Sequence, residues 1–334
     1  MKDTLTYDPV DGYNVEQIIS DINTYNPTRI IIFNELEWEQ RQLPKSLYDY
    51  ISERNIEFVM IHGSFPDKLY DDYCDSMGLE YSQIQHWPTF WISWTEMCLG
   101  SNFPYKTYTP TTDYVYPFIC LNNKGHVHRC ALVDHLARHN LLDKGIVTHH
   151  NFMTNHEYPF KYYDGSIRTI DDDFATKLDS FLLPEQFHDS FLHIVGEATS
   201  HVNFVTEKTI IPLLLKKPFI SLGKEGFNKC LTDLGFVLYT ELFDYSFDSE
   251  PDIETRASMV ADNVNSIIGQ DYNKLYELIK PKILHNYNRV QEIIHDINYI
   301  HPLAIERSNY IDQEGYRPMH SDSRYQHLVN QCSK

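Results

Sequence analysis

At 334 residues the chain is longer than one hydrophobic core commonly serves, so two domains are expected, and a 42% hydrophobic content suffices for two ordinary cores. Lys and Arg number 28 against 47 Asp and Glu, a net charge of −19 that disfavours indiscriminate binding to nucleic acid or anionic membrane but leaves room for a few cations around a diphosphate. No apolar run approaches the roughly 18 residues that a membrane span needs, and the N-terminus carries no apolar signal core. The six cysteines form no CxxC pair and no metal-type spacing, which fits a reducing, cytoplasmic setting.

In chain order, the apolar run that opens RIIIFNELEW (Arg29 to Trp38) reads as a strand breaking into polar residues at Asn34. Leu43, Leu47, Tyr50 and Ile51 are spaced for one helical face, and IEFVMIHG (Ile56 to Gly63) is a second strand. Strand, helix, strand with short connections is the signal of a parallel sheet. Three of the four Trp fall in WPTFWISWTEM (Trp87 to Met97), and the Pro-, Thr- and Tyr-rich stretch from Gly100 to Pro117 marks a domain boundary. The domains are expected at 1–110 and 111–285, with a C-terminal helix and tail at 286–334.

In the second domain, Phe118 to Leu121 is a strand, Asn122 to His128 a polar loop, and a helix carrying Ala131, Leu132 and Leu136 ends in a Gly145 cap. A strand starts at Ile146, and residues His149 to Asp179, polar, aromatic and acidic, are expected as loops. FLHIVGEA (Phe191 to Ala198) is a strand, Val205 to Lys217 a helix opened by Thr206, and PFISLG (Pro218 to Gly223) a buried strand. A further short strand is expected near Gly235 to Val237, and helices from Ile253 to about Ile300.

Two groups of residues carry chemistry. The loop from Asn122 to Arg129 joins a strand end to a helix start, where free backbone N–H groups and a positive dipole end suit a diphosphate. Lys124 and Arg129 add charge, His128 a further donor, and the Arg fork can grip two phosphate oxygens. The alternative is an exposed polar turn. In the second group Thr206 caps a helix, with Glu207 and Lys208 in its first turn. A Glu is comfortable there and can accept hydrogen bonds from ribose hydroxyls; a Lys is not, and its presence points to an anion nearby. Two exposed charges beside a plain cap are the bland alternative.

The block from Glu197 to Gly223 resembles the signature of the α1,3-fucosyltransferase family. Phe204-Val205-Thr206-Glu207-Lys208 matches intact, and Pro218 and Gly223 fall where that pattern has them. Gly196-Glu197-Ala198 replaces Phe-Glu-Asn, and Lys216-Lys217 replaces small residues. Leu121-Asn122 and Arg129 echo the family's upstream strand and Arg. The likeness covers roughly 118–225, and the C-terminal half also looks like uncharacterised proteins of marine phages. It implies a GT-B-like α/β fold of two Rossmann-like domains facing a cleft. The diphosphate of a nucleotide sugar would be held by Arg129 and Lys208, and the ribose or sugar would be contacted by Glu207 and Glu197. GDP-fucose as donor follows only from that analogy.

In such transferases an acceptor hydroxyl attacks with inversion while a side chain of the N-terminal domain takes its proton. Glu96 and His62 are the leading bases, ahead of Glu35 and Glu37. No DxD-like motif stands in a convincing position, and Asp171-Asp172-Asp173 reads as a solvated loop, so no metal or cofactor is expected beyond the nucleotide-sugar co-substrate and its nucleoside diphosphate product. A glycan or other small hydroxyl acceptor is favoured over hydroxymethylated phage DNA, since the Lys and Arg of the N-terminal half are scattered among more numerous acids. A non-catalytic nucleotide-binding module is the third reading.

Overall fold

The computed structural model describes residues 3–7, 14–34, 43–63, 74–78, 84–86, 110, 113–122, 124–149, 158–165 and 183–295. The chain divides into two compact units, Met1–Glu96 with His201–Phe204 and Ile294–Lys334, and Met97–Ser200 with Val205–Ile293. Among the described residues each unit holds one four-stranded sheet, and every strand pair in both sheets is parallel.

The first sheet has the order β1-β2-β3-β4, from β1 (Thr4–Tyr7), β2 (Arg29–Asn34), β3 (Glu57–His62) and β4 (Ile84–His86). Ile30, Ile31 and Ile32 are fully buried in succession, as a strand covered on both faces requires. Helix α1 (Val15–Tyr25) is capped by the Asn14 side chain, which accepts from the Gln17 N–H, and ends at Asn26 in the left-handed region (φ 48°). It buries Ile18 and Ile22, one turn apart, while α2 (Lys45–Ser52) buries Leu47, Tyr48 and Ile51. Tyr48, rather than the expected Tyr50, takes the buried position and meets Phe58 edge-on at 5.7 Å.

The second sheet carries the site. Its strands are β5 (Tyr116–Asn122), β6 (Ile146–His149), β7 (Ser190–Gly196) and β8 (Phe219–Leu222), in the spatial order β6-β5-β7-β8. The first of these strands in sequence is therefore flanked by the second and the third, which makes the boundary between β5 and β7 a topological switch point. Phe118, Ile119, Cys120, Leu192, Ile194, Ile220 and Leu222 have no exposed surface. The helices are α3 (Val127–Arg138), the short α4 (Glu185–Asp189), α5 (Glu207–Leu214), α6 (Phe227–Asp233), α7 (Ile253–Ser266) and α8 (Tyr272–His295). Helix α3 packs against β6, β7 and α7, and eight of its twelve residues are buried. Arg138 to Ser258 (3.0 Å) and His139 to Asp262 (2.7 Å) join the two helices at their outer edges.

Three readings of the sequence are corrected here. Helix α3 begins at Val127, so His128 and Arg129 belong to its first turn rather than to a loop. It ends at Arg138, with Asn140 in the left-handed region, and not at Gly145. Gly145 is needed for another reason: a Cβ there would stand 2.6 Å from the Phe118 ring. The segment after Gly235 forms no strand, because the buried Asn286 side chain accepts from the Val237 N–H (2.8 Å) and donates to the Val237 carbonyl (2.9 Å), supplying from one amide what a neighbouring strand would.

At the amino edge of the second sheet lies a buried lysine. Lys217 follows Lys216, which sits in the left-handed region (φ 52°), and its ammonium donates to the Ser190 carbonyl above the Phe187 ring. Burial brings its pKa down to about 7, with Asp189 opposing the fall. Between about pH 7 and 10.5 the unfolded chain therefore binds more protons than the folded one, and this residue's contribution to stability rises with pH across that window. Urea midpoints of the native protein relative to Lys217→Met should accordingly shift in favour of the native protein from pH 7 to pH 9; a constant difference would contradict this.

Candidate functional site

Two helix N-termini meet at the switch point. β5 ends at Asn122 and leads through a turn to α3; β7 ends at Gly196 and leads to α5. At the start of α3 the N-cap residue, His126, makes no side-chain capping bond, while its carbonyl accepts from the Arg129 and Cys130 N–H groups. At α5 the Thr206 hydroxyl accepts from the Lys208 N–H at 3.3 Å.

The end of β7 is tied to α3 through two successive carbonyls, chiefly that of Glu197. Arg129 Nε and Nη2 donate to the Glu197 carbonyl oxygen at 3.0 and 2.6 Å, Nε also reaches the Gly196 carbonyl at 3.2 Å, and His128 Nε2 lies 2.7 Å from the same Glu197 oxygen. Both side chains are almost fully buried. Gly196 is required by this closeness: a Cβ there would stand 2.9 Å from Arg129 Cγ and 3.0 Å from Asn122 Oδ1.

The Glu197 side chain points into the fold. Its carboxyl is fully buried and accepts from the Thr206 hydroxyl (2.6 Å), the Thr209 hydroxyl (2.5 Å) and the Ala198 N–H (3.1 Å). Burial lifts its pKa above the ordinary carboxylate range, with Lys208 and the two hydroxyls pulling it back. Glu197 thus braces the first turns of α5 from beneath.

Glu207 and Lys208 stand at the surface of that turn, about a quarter exposed, with the ammonium 2.5 Å from Glu207 Oε1. Burial alone would raise the Glu207 carboxyl, but the adjoining Lys208 charge and hydrogen bond overcome it and hold the group below the usual range. The turn therefore presents a carboxylate and an ammonium side by side.

Asn122 is fully buried; its N–H donates to the Thr148 hydroxyl (2.9 Å), its Nδ2 to Cys120 Sγ (3.2 Å), and its Oδ1 has no hydrogen-bond partner among the described residues. Lys124 is exposed on the turn. The structure thus gathers Asn122, His128, Arg129, Glu197, Thr206, Glu207 and Lys208 around one edge. His62 ends β3, its backbone level with Asn34 and His86. Glu96, Glu35, Glu37 and the run Asp171 to Asp173 lie outside the described residues.

No family model matches the chain, and neither does any curated protein. Among solved structures it is similar to the crystal structure of a glycosyltransferase from Rickettsia africae ESF-5, at 14% identity and a TM-score of 0.37, over 84% of this chain and 79% of that one. The described residues include no helix long and apolar enough to cross a membrane and no group of three or more His, Cys, Asp or Glu arranged to hold a metal.

Thr209 escaped the sequence reading. Its position three residues after the Thr206 cap was the available signal, since the next turn of a helix brings residues i and i+3 to one face.

Proposed function

We propose that the chain is an inverting, metal-independent glycosyltransferase of the GT-B type. It takes its sugar from a nucleotide-diphosphate sugar held by the second unit and transfers it to a hydroxyl of a glycan or other small acceptor. One observation carries the reading: a lysine ammonium on the first turn of α5, at the positive end of a helix dipole, beside the switch point of a parallel sheet. A cation is poorly placed there. The adjoining Glu207 carboxylate offsets part of that unfavourable placement, and a diphosphate at the same turn would add oxygens for the ammonium to donate to, beside the N–H groups at the start of α3.

In this reading Lys208 contacts the diphosphate, Arg129 contributes charge from beneath while fixing the end of β7, and Glu207 accepts from the ribose hydroxyls. Lys124 and His128 flank the α3 start, and Asn122 keeps the strand end in place. Glu197 and Thr206 position Lys208 and Glu207 from inside the fold. The acceptor oxygen forms the new bond to the anomeric carbon as the bond to the diphosphate oxygen breaks, and the nucleoside diphosphate leaves with the electron pair. The acceptor's proton passes to a side-chain base, for which His62 and Glu96 stand as candidates. The leaving group's charge is met by Lys208 and the helix ends. The net charge of −19 favours a small acceptor over duplex DNA, whose phosphates need a basic track.

The test is release of nucleoside diphosphate from a panel of nucleotide sugars, with and without saccharide acceptors, in saturating EDTA. Release from at least one donor that persists under chelation is expected. No release from any donor counts against transfer, and loss on chelation restored by Mg²⁺ or Mn²⁺ counts against a metal-free clamp.

A further inference from the structure

Beside the switch point, on the β6 side, three rings form a wall. His149 ends β6, and its backbone is level with Asn122 at the end of β5. Its imidazole meets Phe160 edge-on at 5.5 Å and Tyr163 edge-on at 5.8 Å, and those two rings meet each other at 5.0 Å. All three are half-buried, so each keeps a face or edge open. The segment that carries Phe160 and Tyr163 has no regular secondary structure, yet it is held firmly. The buried Asp134 carboxylate of α3 accepts from the N–H groups of Lys161, Tyr162 and Tyr163 at 2.7–3.1 Å. Tyr158 closes the same segment onto α7 by donating to Glu254 at 2.7 Å.

We infer that this wall is the subsite for the heterocyclic base of the donor nucleotide, an assignment that rests on the reading above. Neighbouring strands stand about 5 Å apart, so the end of β6 lies one strand from β5 and about two from the α5 turn that carries Lys208. A base joined to a diphosphate through ribose spans that scale of distance. The two flanks of the switch point differ in chemistry. On the β8 side the chain continues as Gly223-Lys224-Glu225-Gly226, charged and without rings; on the β6 side it offers aromatic surface on a braced backbone. A planar base gains from stacking on the second and little from the first. The sugar is then left toward β8.

The full-length native protein and the variants Tyr163→Ala and Tyr163→Phe should be titrated by calorimetry with UDP, GDP, ADP, CDP and dTDP, and separately with inorganic pyrophosphate. For the best nucleoside diphosphate, Tyr163→Ala should weaken binding about tenfold, and Tyr163→Phe, which keeps the ring, by much less. Pyrophosphate, which has no base, should bind all three proteins alike, and this also reports an intact phosphate end in each variant. Unchanged nucleoside diphosphate affinity in Tyr163→Ala overturns the inference while leaving the diphosphate site standing, and equal losses for nucleotide and pyrophosphate overturn it as well. A native protein that binds pyrophosphate but prefers no nucleotide over it refutes the base subsite alone. One that binds neither refutes the proposed function and the subsite with it.

Discussion

Replacing Lys208 by alanine is expected to weaken nucleoside diphosphate binding by tenfold to a hundredfold while leaving the protein folded. The side chain is about a quarter exposed at the surface of the turn, so its removal gives up some packing and the ion pair to Glu207 but breaks no hydrogen bond of the core. What is lost is a charge-assisted contact worth about 1.5–3 kcal/mol, and each 1.4 kcal/mol is a factor of ten. Lys208→Arg, which keeps the charge, should recover part of the affinity. Arg129→Ala should behave differently: it breaks the bonds to the Gly196 and Glu197 carbonyls and empties a buried site, so stability and binding should fall together. Calorimetry beside urea unfolding separates the two patterns. Native affinity in Lys208→Ala would remove the diphosphate from α5.

The second large effect concerns folding. Glu197→Ala should lower stability by about 3 kcal/mol or more, because the buried Thr206 and Thr209 hydroxyls and the Ala198 N–H lose their acceptor at once and each such group is costly to leave unpaired. Glu197→Gln should cost much less, since the amide keeps one oxygen and the hydroxyls can turn to accept from its nitrogen. The pair of variants distinguishes a brace from a ligand contact. A brace shows in the urea midpoint without any nucleotide present. A midpoint for Glu197→Ala equal to that of the native protein would contradict the arrangement beneath α5.

The strands of both sheets that are buried on two faces were legible as apolar runs: Ile30 to Phe33, Phe118 to Cys120, Phe191 to Val195 and Phe219 to Leu222. Such runs need no alternation, so their length and their Gly, Pro or polar borders identified them. The Thr206 cap with Glu207 and Lys208 behind it was legible too, because capping chemistry is local. What escaped was non-local. Thr4–Tyr7 is a four-residue strand whose alternating Thr and Leu carry little signal until the Arg29 to Ile32 run pairs with it. Glu197 is read from the resemblance as a contact to the ribose or sugar; only the fold brings Thr209 under it. Arg129 reads as a phosphate ligand, and its bonds to the 196–197 backbone depend on the β5–β7 pairing that the sequence order conceals. The same holds for Asn286, 49 residues from the backbone that it completes.

The central claim, that a nucleotide diphosphate sits where α3 and α5 begin, is tested most directly by a crystal structure of the full-length protein soaked with its preferred nucleoside diphosphate. Phosphate oxygens within hydrogen-bond distance of the Lys208 ammonium and of backbone N–H groups in the first turns of α3 and α5 are the expected result. A nucleotide bound elsewhere on the molecule, or a carboxyl edge at β5 and β7 left vacant at saturating nucleotide, would contradict it.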